Sequence, residues 1–395
     1  MSLNNTPSSE RLHIGLFGKR NAGKSSLMNA ITGQSLAIVS DIKGTTTDPV
    51  SKAMELLPLG PVVIIDTPGL DDEGSLGEMR VSKAYQMLNK TDIALLVVDG
   101  TERESEENKA LLHRIKEKEI PYLIVVNKSE QIEIPKEVPK DQIYVSAKEG
   151  IHIQELKERI GALVPKEKEK KDLVADLIQP LDFVVLVVPI DASAPKGRLI
   201  LPQQQVIRDI LEAKAVSIVV KDTELEEMLK KLPVKPKLVI TDSQVFKEVA
   251  DIVPEDIELT SFSVLFARYK GNLWEAVKGA RAIETLEDGD RILIAEGCTH
   301  HRQCEDIGTV KIPRWIQQYT GKEIQIDFSS GTEFPQDLSK YKMIIHCGGC
   351  TLNEREMKYR IRCSVDQEIP ITNYGIFIAY MKGILERSIS PLQNN

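Results

Sequence analysis

The run Gly18-Lys19-Arg20-Asn21-Ala22-Gly23-Lys24-Ser25 sets a lysine and a serine directly behind a glycine-bounded loop. Glycines so placed let successive backbone N–H groups turn inward on an anion. The apolar stretch His13–Phe17 ahead of the loop predicts a buried strand, and a helix is expected behind it. Strand, G-x-x-x-x-G-K-S and helix in that order make a phosphate-binding loop. Lys24 would reach the β- and γ-phosphates of a nucleoside triphosphate, and Ser25 would hold Mg2+. Gly18, Asn21, Ala22, Gly23 and Ser26 complete the cradle. The N-terminus of the following helix adds positive potential at the same point. A plain glycine turn would need neither the lysine nor the serine.

Other runs narrow the choice of nucleotide. Asp66-Thr67-Pro68-Gly69 ends an apolar stretch, where an aspartate can reach Mg2+ and a glycine N–H can sense the γ-phosphate. Asn127-Lys128-Ser129-Glu130 and Ser146-Ala147-Lys148 follow two further strands. Their order and context resemble the guanine-reading loops of translation-factor-type GTPases. In that family a carboxylate at the position of Glu130 pairs with the guanine N1 and N2 donors. The usual residue is Asp, so Glu130 keeps the acceptor and adds a methylene, with a weaker guanine affinity expected. Gly44-Thr45-Thr46-Thr47-Asp48 resembles the first switch loop, in which Thr46 would close on Mg2+. Lys24, Thr46, Asp66 and Gly69 are the residues expected to act on the phosphates.

Two details point to one branch, the TrmE and Era branch. Leu70 follows Gly69 and cannot orient a water as a glutamine would. Asn21 resembles the asparagine that helps bind K+ in GTPases where that ion replaces an arginine finger. The alternative for Asn21 is a simple turn residue. Asp71, Asp72 and Glu73 lie in the switch, but none can be named as a base. Slow intrinsic hydrolysis, stimulated by potassium, is expected.

The elements that position these loops alternate in type. His13–Phe17, Val62–Asp66, Ala94–Val98 and Tyr122–Val126 read as buried parallel strands, with helices over Met79–Leu88, Glu104–Lys118 and Glu155–Leu163. This predicts an α/β fold of the Ras-like P-loop GTPase type over residues 1–165. A charged linker follows at 166–172. The rhythm restarts over 173–265, with strands at Phe183–Val188, Val216–Val220 and Leu238–Thr241 and helices at Gln203–Ala213 and Leu225–Lys231. It restarts again over 266–395, with strands at Arg291–Glu296, Glu323–Phe328 and Lys342–His346 and a closing helix near Ala379–Arg387. Three α/β domains with parallel sheets are expected.

All five cysteines fall in the last segment. Cys298-Thr299-His300-His301 follows one predicted strand, and His346-Cys347-Gly348-Gly349-Cys350 ends another. Cys-x-x-Cys after a strand lets two thiolates point at one metal. A parallel sheet would bring both loops to one edge, so that three cysteines with nearby histidines converge. The alternatives are zinc in a Cys3His site, a redox pair at Cys347 and Cys350, and unrelated buried thiols. An iron–sulfur cluster usually takes four thiolates, and only Cys298, Cys347 and Cys350 align by motif. The fourth position is open among His300, His346, Glu305 and Cys304. Cys363 reads as an ordinary buried thiol. Arg302, Lys311, Arg355 and Arg360 flank the two loops and could offset an anionic group there.

The 395 residues carry a net charge of −8, and the last segment has as many basic as acidic side chains, which disfavours nucleic acid as a partner. The opening Met1–Gly15 stretch has no apolar run of the secretory kind, and the longest apolar runs are strand-length, so a cytoplasmic protein without membrane contact is expected. Clustered cysteines in that compartment suggest thiols or metal ligands.

Cys-x-His, a gap, then His-Cys-x-x-Cys, fused behind a GTPase domain, resembles the [FeFe]-hydrogenase maturation GTPase that serves as scaffold. The resemblance covers the whole chain in layout. It implies that the middle segment is a dimerisation unit giving a homodimer. It implies that Cys298, Cys347 and Cys350 bind a [4Fe–4S] cluster. It also implies that the protein carries a di-iron precursor bearing CO and cyanide. Two radical-SAM maturases would load that precursor, and the apo-[FeFe]-hydrogenase would receive it. The alternative reading is a GTP-regulated, zinc-containing RNA or ribosome-assembly module.

Overall fold

Parallel strands covered by helices on both faces bury both sides and so read as unbroken apolar runs. The first sheet shows this in Ile93–Asp99 (β4), whose first six residues are all buried. The computed structural model describes residues 8–33, 50–57, 59–69, 83–102, 105–164, 172–190, 199–297, 306–331 and 333–393. The expected switch residues Thr45, Thr46, Leu70, Asp71, Asp72 and Glu73 lie outside the described residues. So do Cys298, His300, His301, Arg302, Cys304 and Glu305. The chain divides into two compact units, residues 1–168 and 169–395.

The first unit is a six-stranded sheet of Leu12–Phe17 (β1), Val50–Leu56 (β2), Gly60–Asp66 (β3), β4, Tyr122–Asn127 (β5) and Gln142–Tyr144 (β6), in the order β2-β3-β1-β4-β5-β6. Only β2 runs antiparallel, against β3. Alternation along each strand sends successive side chains to opposite faces. Ile14, Leu16, Ile64, Leu95 and Val97 pack with Leu27, Met28, Leu156 and Ile160 from the helices Lys24–Thr32 and Ile153–Leu163. Phe17, Ile65, Leu96 and Val98 pack on the other face with Leu111 and Ile115 from the helix Glu106–Glu117. Each such fully buried aliphatic side chain contributes about 1.5–3 kcal/mol. The Ser105 side chain accepts from Asn108 N–H and starts that last helix.

The second unit holds two four-stranded parallel sheets. Phe183–Val187 (β7), Val216–Val220 (β8), Leu238–Thr241 (β9) and Glu258–Ser261 (β10) form one, in the order β10-β9-β7-β8. Arg291–Ala295 (β11), Gln325–Ser329 (β12), Met343–His346 (β13) and Ile371–Asn373 (β14) form the other, in the order β12-β11-β13-β14. One apolar core serves both ends of this unit. Val184, Leu186 and Ile240 of the first of these sheets pack with Leu265 and Val277, and with Ile376, Leu385 and Leu392 from the end of the chain. Thr260 Oγ1 donates to Ser388 O, and the Arg387 guanidinium donates to the carbonyls of Ala250, Val253 and Pro254.

Two expectations shift. The boundary expected between 265 and 266 falls inside the helix Phe262–Lys270. The single closing helix near Ala379–Arg387 is two, Tyr374–Met381 and Leu385–Ile389, parted at Gly383, whose φ of +72° no helix continues. Among the described residues, no helix is long and apolar enough to cross a membrane.

Candidate functional site

The first site lies at the carboxyl end of the six-stranded sheet. β1 ends at Phe17, and the loop Gly18–Gly23 leads into the helix Lys24–Thr32. Gly23 caps that helix with φ +89°, and a Cβ there would stand 2.2 Å from Asn127 Nδ2, so only glycine lets the Asn127 segment approach. Lys24 is buried, its ammonium held by Gly18 O at 2.9 Å and Lys19 O at 2.7 Å. Ser25 Oγ donates to Asp66 Oδ2 at 2.5 Å, while Asp66 Oδ1 is buried with no hydrogen-bond partner. Burial raises the Asp66 pKa, against the Ser25 hydroxyl and the Lys24 ammonium. A hydroxyl beside a half-satisfied carboxylate is the hard-oxygen donor pair that Mg2+ prefers. Gly69 lies against the same loop, since a Cβ on it would meet Arg20 N at 2.9 Å. Asn21 is exposed at the rim with φ 57°, and Ala22 and Ser26 flank it on the loop and helix.

Asn127 joins the Gly18–Gly23 loop to the segment at Ala147. Its Nδ2 donates to Ala22 O at 2.9 Å, and its Oδ1 accepts from Ala147 N at 3.0 Å. Glu130, Ser146 and Lys148 gather beside it. The Ser146 hydroxyl, the neighbouring backbone and Lys148 hold the Glu130 carboxyl below its usual value. Yet Glu130 Oε2 is buried without a donor of good geometry. Lys128 takes the left-handed conformation, φ 60°, and its Nζ pairs with Asp99 Oδ2 at 2.6 Å. Asp99 was missed by sequence reasoning; its signal is the Val97-Val98-Asp99-Gly100 end of β4.

The second site lies in the other unit, where β11 and β13 are parallel neighbours with Ala295 opposite His346. Cys347 N–H donates to Ala295 O at 2.8 Å. Gly297 N–H donates to Cys347 Sγ at 3.0 Å, and Gly349 N–H donates to the same sulfur at 3.4 Å. The Thr351 hydroxyl donates to Gly297 O at 3.1 Å. Gly349 makes the turn possible with φ +62°. The two post-strand loops therefore meet at Gly297, one residue before Cys298. Burial pushes the Cys350 thiol up, with the Lys270 ammonium working against this. Lys270, also missed from sequence, is buried and donates to Leu352 O at 3.1 Å and Cys350 O at 3.4 Å.

His346 does not offer a ring nitrogen to a metal in this arrangement. Its Nε2 pairs with Arg360 NH1 at 2.9 Å and its Nδ1 with Cys347 O at 2.7 Å. Arg360, 1% exposed, also donates to Glu356 Oε1 and Gly331 O. Burial, then the Arg360 charge, pushes the His346 pKa down to about 3, so the ring is neutral. Both ring nitrogens of His346, one of the expected fourth-ligand candidates, are thus engaged within the protein as placed here. Arg360 is likewise committed to this buried set, and Lys311 donates to Gln244 Oε1. Cys363 lies on the helix Glu354–Asp366, packed against the apolar cluster around Leu293 and Ile344. Among the described residues, no three Cys, His, Asp or Glu side chains close on one point.

Comparison with known proteins matches three stretches of the chain. Residues 13–128 match the 50S ribosome-binding GTPase family. Residues 173–271 match the hydrogen maturase F dimerization domain, and residues 274–391 match the hydrogen maturase F tetramerization domain. The tRNA modification GTPase MnmE of Bordetella petrii is 34% identical over 155 residues, 39% of this chain and 34% of that protein. MnmE of Legionella pneumophila is 36% identical over 159 residues, 39% of this chain and 35% of that protein. The chain thus spans about a third of the length of these relatives. Among solved structures, a variant of Aquifex aeolicus Era bound to GDP·AlF4− is 21% identical with a TM-score of 0.36, covering 53% of this chain and 92% of that one. With a GTPase domain in front and both hydrogen maturase F domains following in order, the chain belongs to the hydrogen maturase F family, as a GTPase whose N-terminal part is related to the MnmE proteins.

Proposed function

We propose that this hydrogenase-maturation GTPase is a nucleotide-switched scaffold that holds a [4Fe–4S] cluster and carries a di-iron precursor to the apo-hydrogenase. The single observation that supports it best is the junction at Gly297. Its N–H points at Cys347 Sγ and its carbonyl takes the Thr351 hydroxyl. Cys298 follows Gly297 directly in sequence, and three thiols from Cys298, Cys347 and Cys350 would suit a cluster with one iron open. Of the candidate exchangeable fourth ligands, His300 and Glu305 are preferred over His346, whose ring nitrogens are engaged. When bound, the cluster supplies an iron site for exogenous ligands; the chain's own part is to hold three sulfurs and donate N–H bonds to one of them.

In the nucleotide site, Lys24 binds the β- and γ-phosphates, and Ser25, Thr46 and Asp66 hold Mg2+. Gly69 senses the γ-phosphate, and Asn21 binds K+. Asn127, Glu130 and Ala147 read guanine. Residues 173–271 make a homodimer, and residues 274–391 extend the assembly. Two radical-SAM maturases load the precursor in the cytoplasm. The alternative of a zinc-containing RNA module gains no support from the neutral charge balance of the last segment.

The test is anaerobic iron and sulfide analysis with EPR on the reconstituted chain, beside Cys298→Ala, Cys347→Ala and Cys350→Ala. About four irons and four sulfides per chain, lost in each variant, with a signal that shifts on adding imidazole, is the expected result. Stoichiometric zinc with no paramagnetic signal would sink the proposal.

A further inference from the structure

Asp99 and Lys128 stand at the open end of two neighbouring strands, where Asp99 and Asn127 are register partners. The carboxylate is fixed before it meets the lysine. Its Oδ1 accepts from the Thr101 backbone N–H at 3.0 Å and from the Thr101 hydroxyl at 2.8 Å. The turn is pressed onto the base loop, since Gly100 N–H donates to Asn127 O at 2.9 Å. The remaining oxygen, Oδ2, holds Lys128 Nζ at 2.6 Å. Lys128 itself is left-handed at φ 60°, a backbone state that a non-glycine residue keeps only when its surroundings over-determine it.

We propose that Asp99 is a positioning residue of the nucleotide site. It draws the Lys128 ammonium to the strand end, so that the lysine's aliphatic stem lies flat as one wall of the purine slot. With its charge offset there, the wall meets the ring plane as an apolar surface. Glu130 reads the ring edge, and the two tasks are separate. The γ-phosphate lies at the far end of the site, so the Asp99 contribution is equal for GTP and GDP. Such uniform binding changes KM and leaves kcat alone.

The inference rests on the guanine-loop reading above. The experiment is calorimetric titration of the full chain with GDP, IDP and ADP, together with steady-state GTP hydrolysis. Asp99→Asn weakens GDP and IDP alike by about tenfold, raises KM to match and leaves kcat within about twofold. Thr101→Val, which removes one donor and no charge, gives a smaller loss of the same kind, and Asp99→Glu recovers part of it. Glu130→Gln, by contrast, costs GDP more than IDP. Unchanged GDP affinity in Asp99→Asn, or a loss confined to kcat, overturns the role of Asp99 alone. If Asp99→Asn does not fold, an unchanged affinity in Thr101→Val overturns it. A parent chain that binds ADP as well as GDP overturns the guanine-loop reading and this inference with it.

Discussion

Arg360 NH1 lies 2.9 Å from His346 Nε2, and the guanidinium that joins them is 1% exposed. The same guanidinium satisfies Glu356 and closes on Gly331 O, so the loop carrying Cys347 is tied to the helix Glu354–Asp366 by a buried polar set. Removing one partner of a buried ion pair leaves the other charged and uncompensated. Arg360→Met therefore destabilises the chain by about 3–5 kcal/mol, read from denaturant unfolding of the second unit's transition. His346→Gln, which keeps an acceptor near Arg360, costs far less and leaves iron content at the parent level. Loss of iron in His346→Gln would restore the histidine as a ligand.

Asp99 adds an acid-dependent term. Partial burial works to raise its pKa, but the Lys128 ammonium and the Thr101 donors win, and the carboxyl is held below its usual value of 3.8. Between the folded value and 3.8 the unfolded chain binds more protons, so stability rises with pH across that window. The contribution is fully present above 3.8 and is lost as pH falls through the folded value. Unfolding free energies measured from pH 6 down to pH 3 should therefore fall less steeply in Asp99→Asn than in the parent below about pH 4. Identical acid limbs would mean the pair forms no linkage.

Much of this was legible in the sequence, and the exceptions have physical causes. β1, β3, β4 and β5 were readable because buried parallel strands are continuous apolar runs. β2 was not, because its burial alternates along an exposed edge strand. β6 and β14 have three residues and β10 has four, two of them Thr260 and Ser261, too few for a period to show. The phosphate loop was readable because its glycines, lysine and serine are adjacent in sequence. The Arg360–His346 pair was not, because its partners lie 14 residues apart on a strand and a helix. Its only trace is Glu356 one helical turn before Arg360. The His346 ligand role was inferred from adjacency to Cys347, which says nothing of where a ring nitrogen points.

Asn21 sits at the rim of the phosphate loop at φ 57°, and that geometry dictates the variant to use. Alanine would add backbone strain in the left-handed region, whereas glycine keeps the conformation and removes only the amide. Asn21→Gly is therefore expected to bind GTP nearly as tightly as the parent. Its hydrolysis rate in K+ should fall to its rate in Na+, a loss of at least tenfold. Hydrolysis assays in the two salts at equal ionic strength decide this. Equal stimulation in parent and variant would leave Asn21 a turn residue.

β8 is an edge strand, hydrogen-bonded to β7 on one side. Its Val219 is 45% exposed, and Leu211 on the neighbouring helix Leu201–Glu212 is 58% exposed. An apolar strand edge is a template for another strand, and natural proteins blunt such edges with lysine when pairing is unwanted. Here the edge carries Val216, Ile218, Val219 and Val220, with no charge until Lys221. Pairing of two such edges would continue the four-stranded sheet across a dimer and cover the exposed valine. Val219→Lys introduces the blunting charge without touching the buried residues of β7. The variant should dissociate at concentrations where the parent remains dimeric, with the dimer dissociation constant raised at least tenfold, about 1.4 kcal/mol. Light scattering across a concentration series measures it. A Val219→Lys chain with the parent's mass at every concentration would move the dimer contact away from this edge.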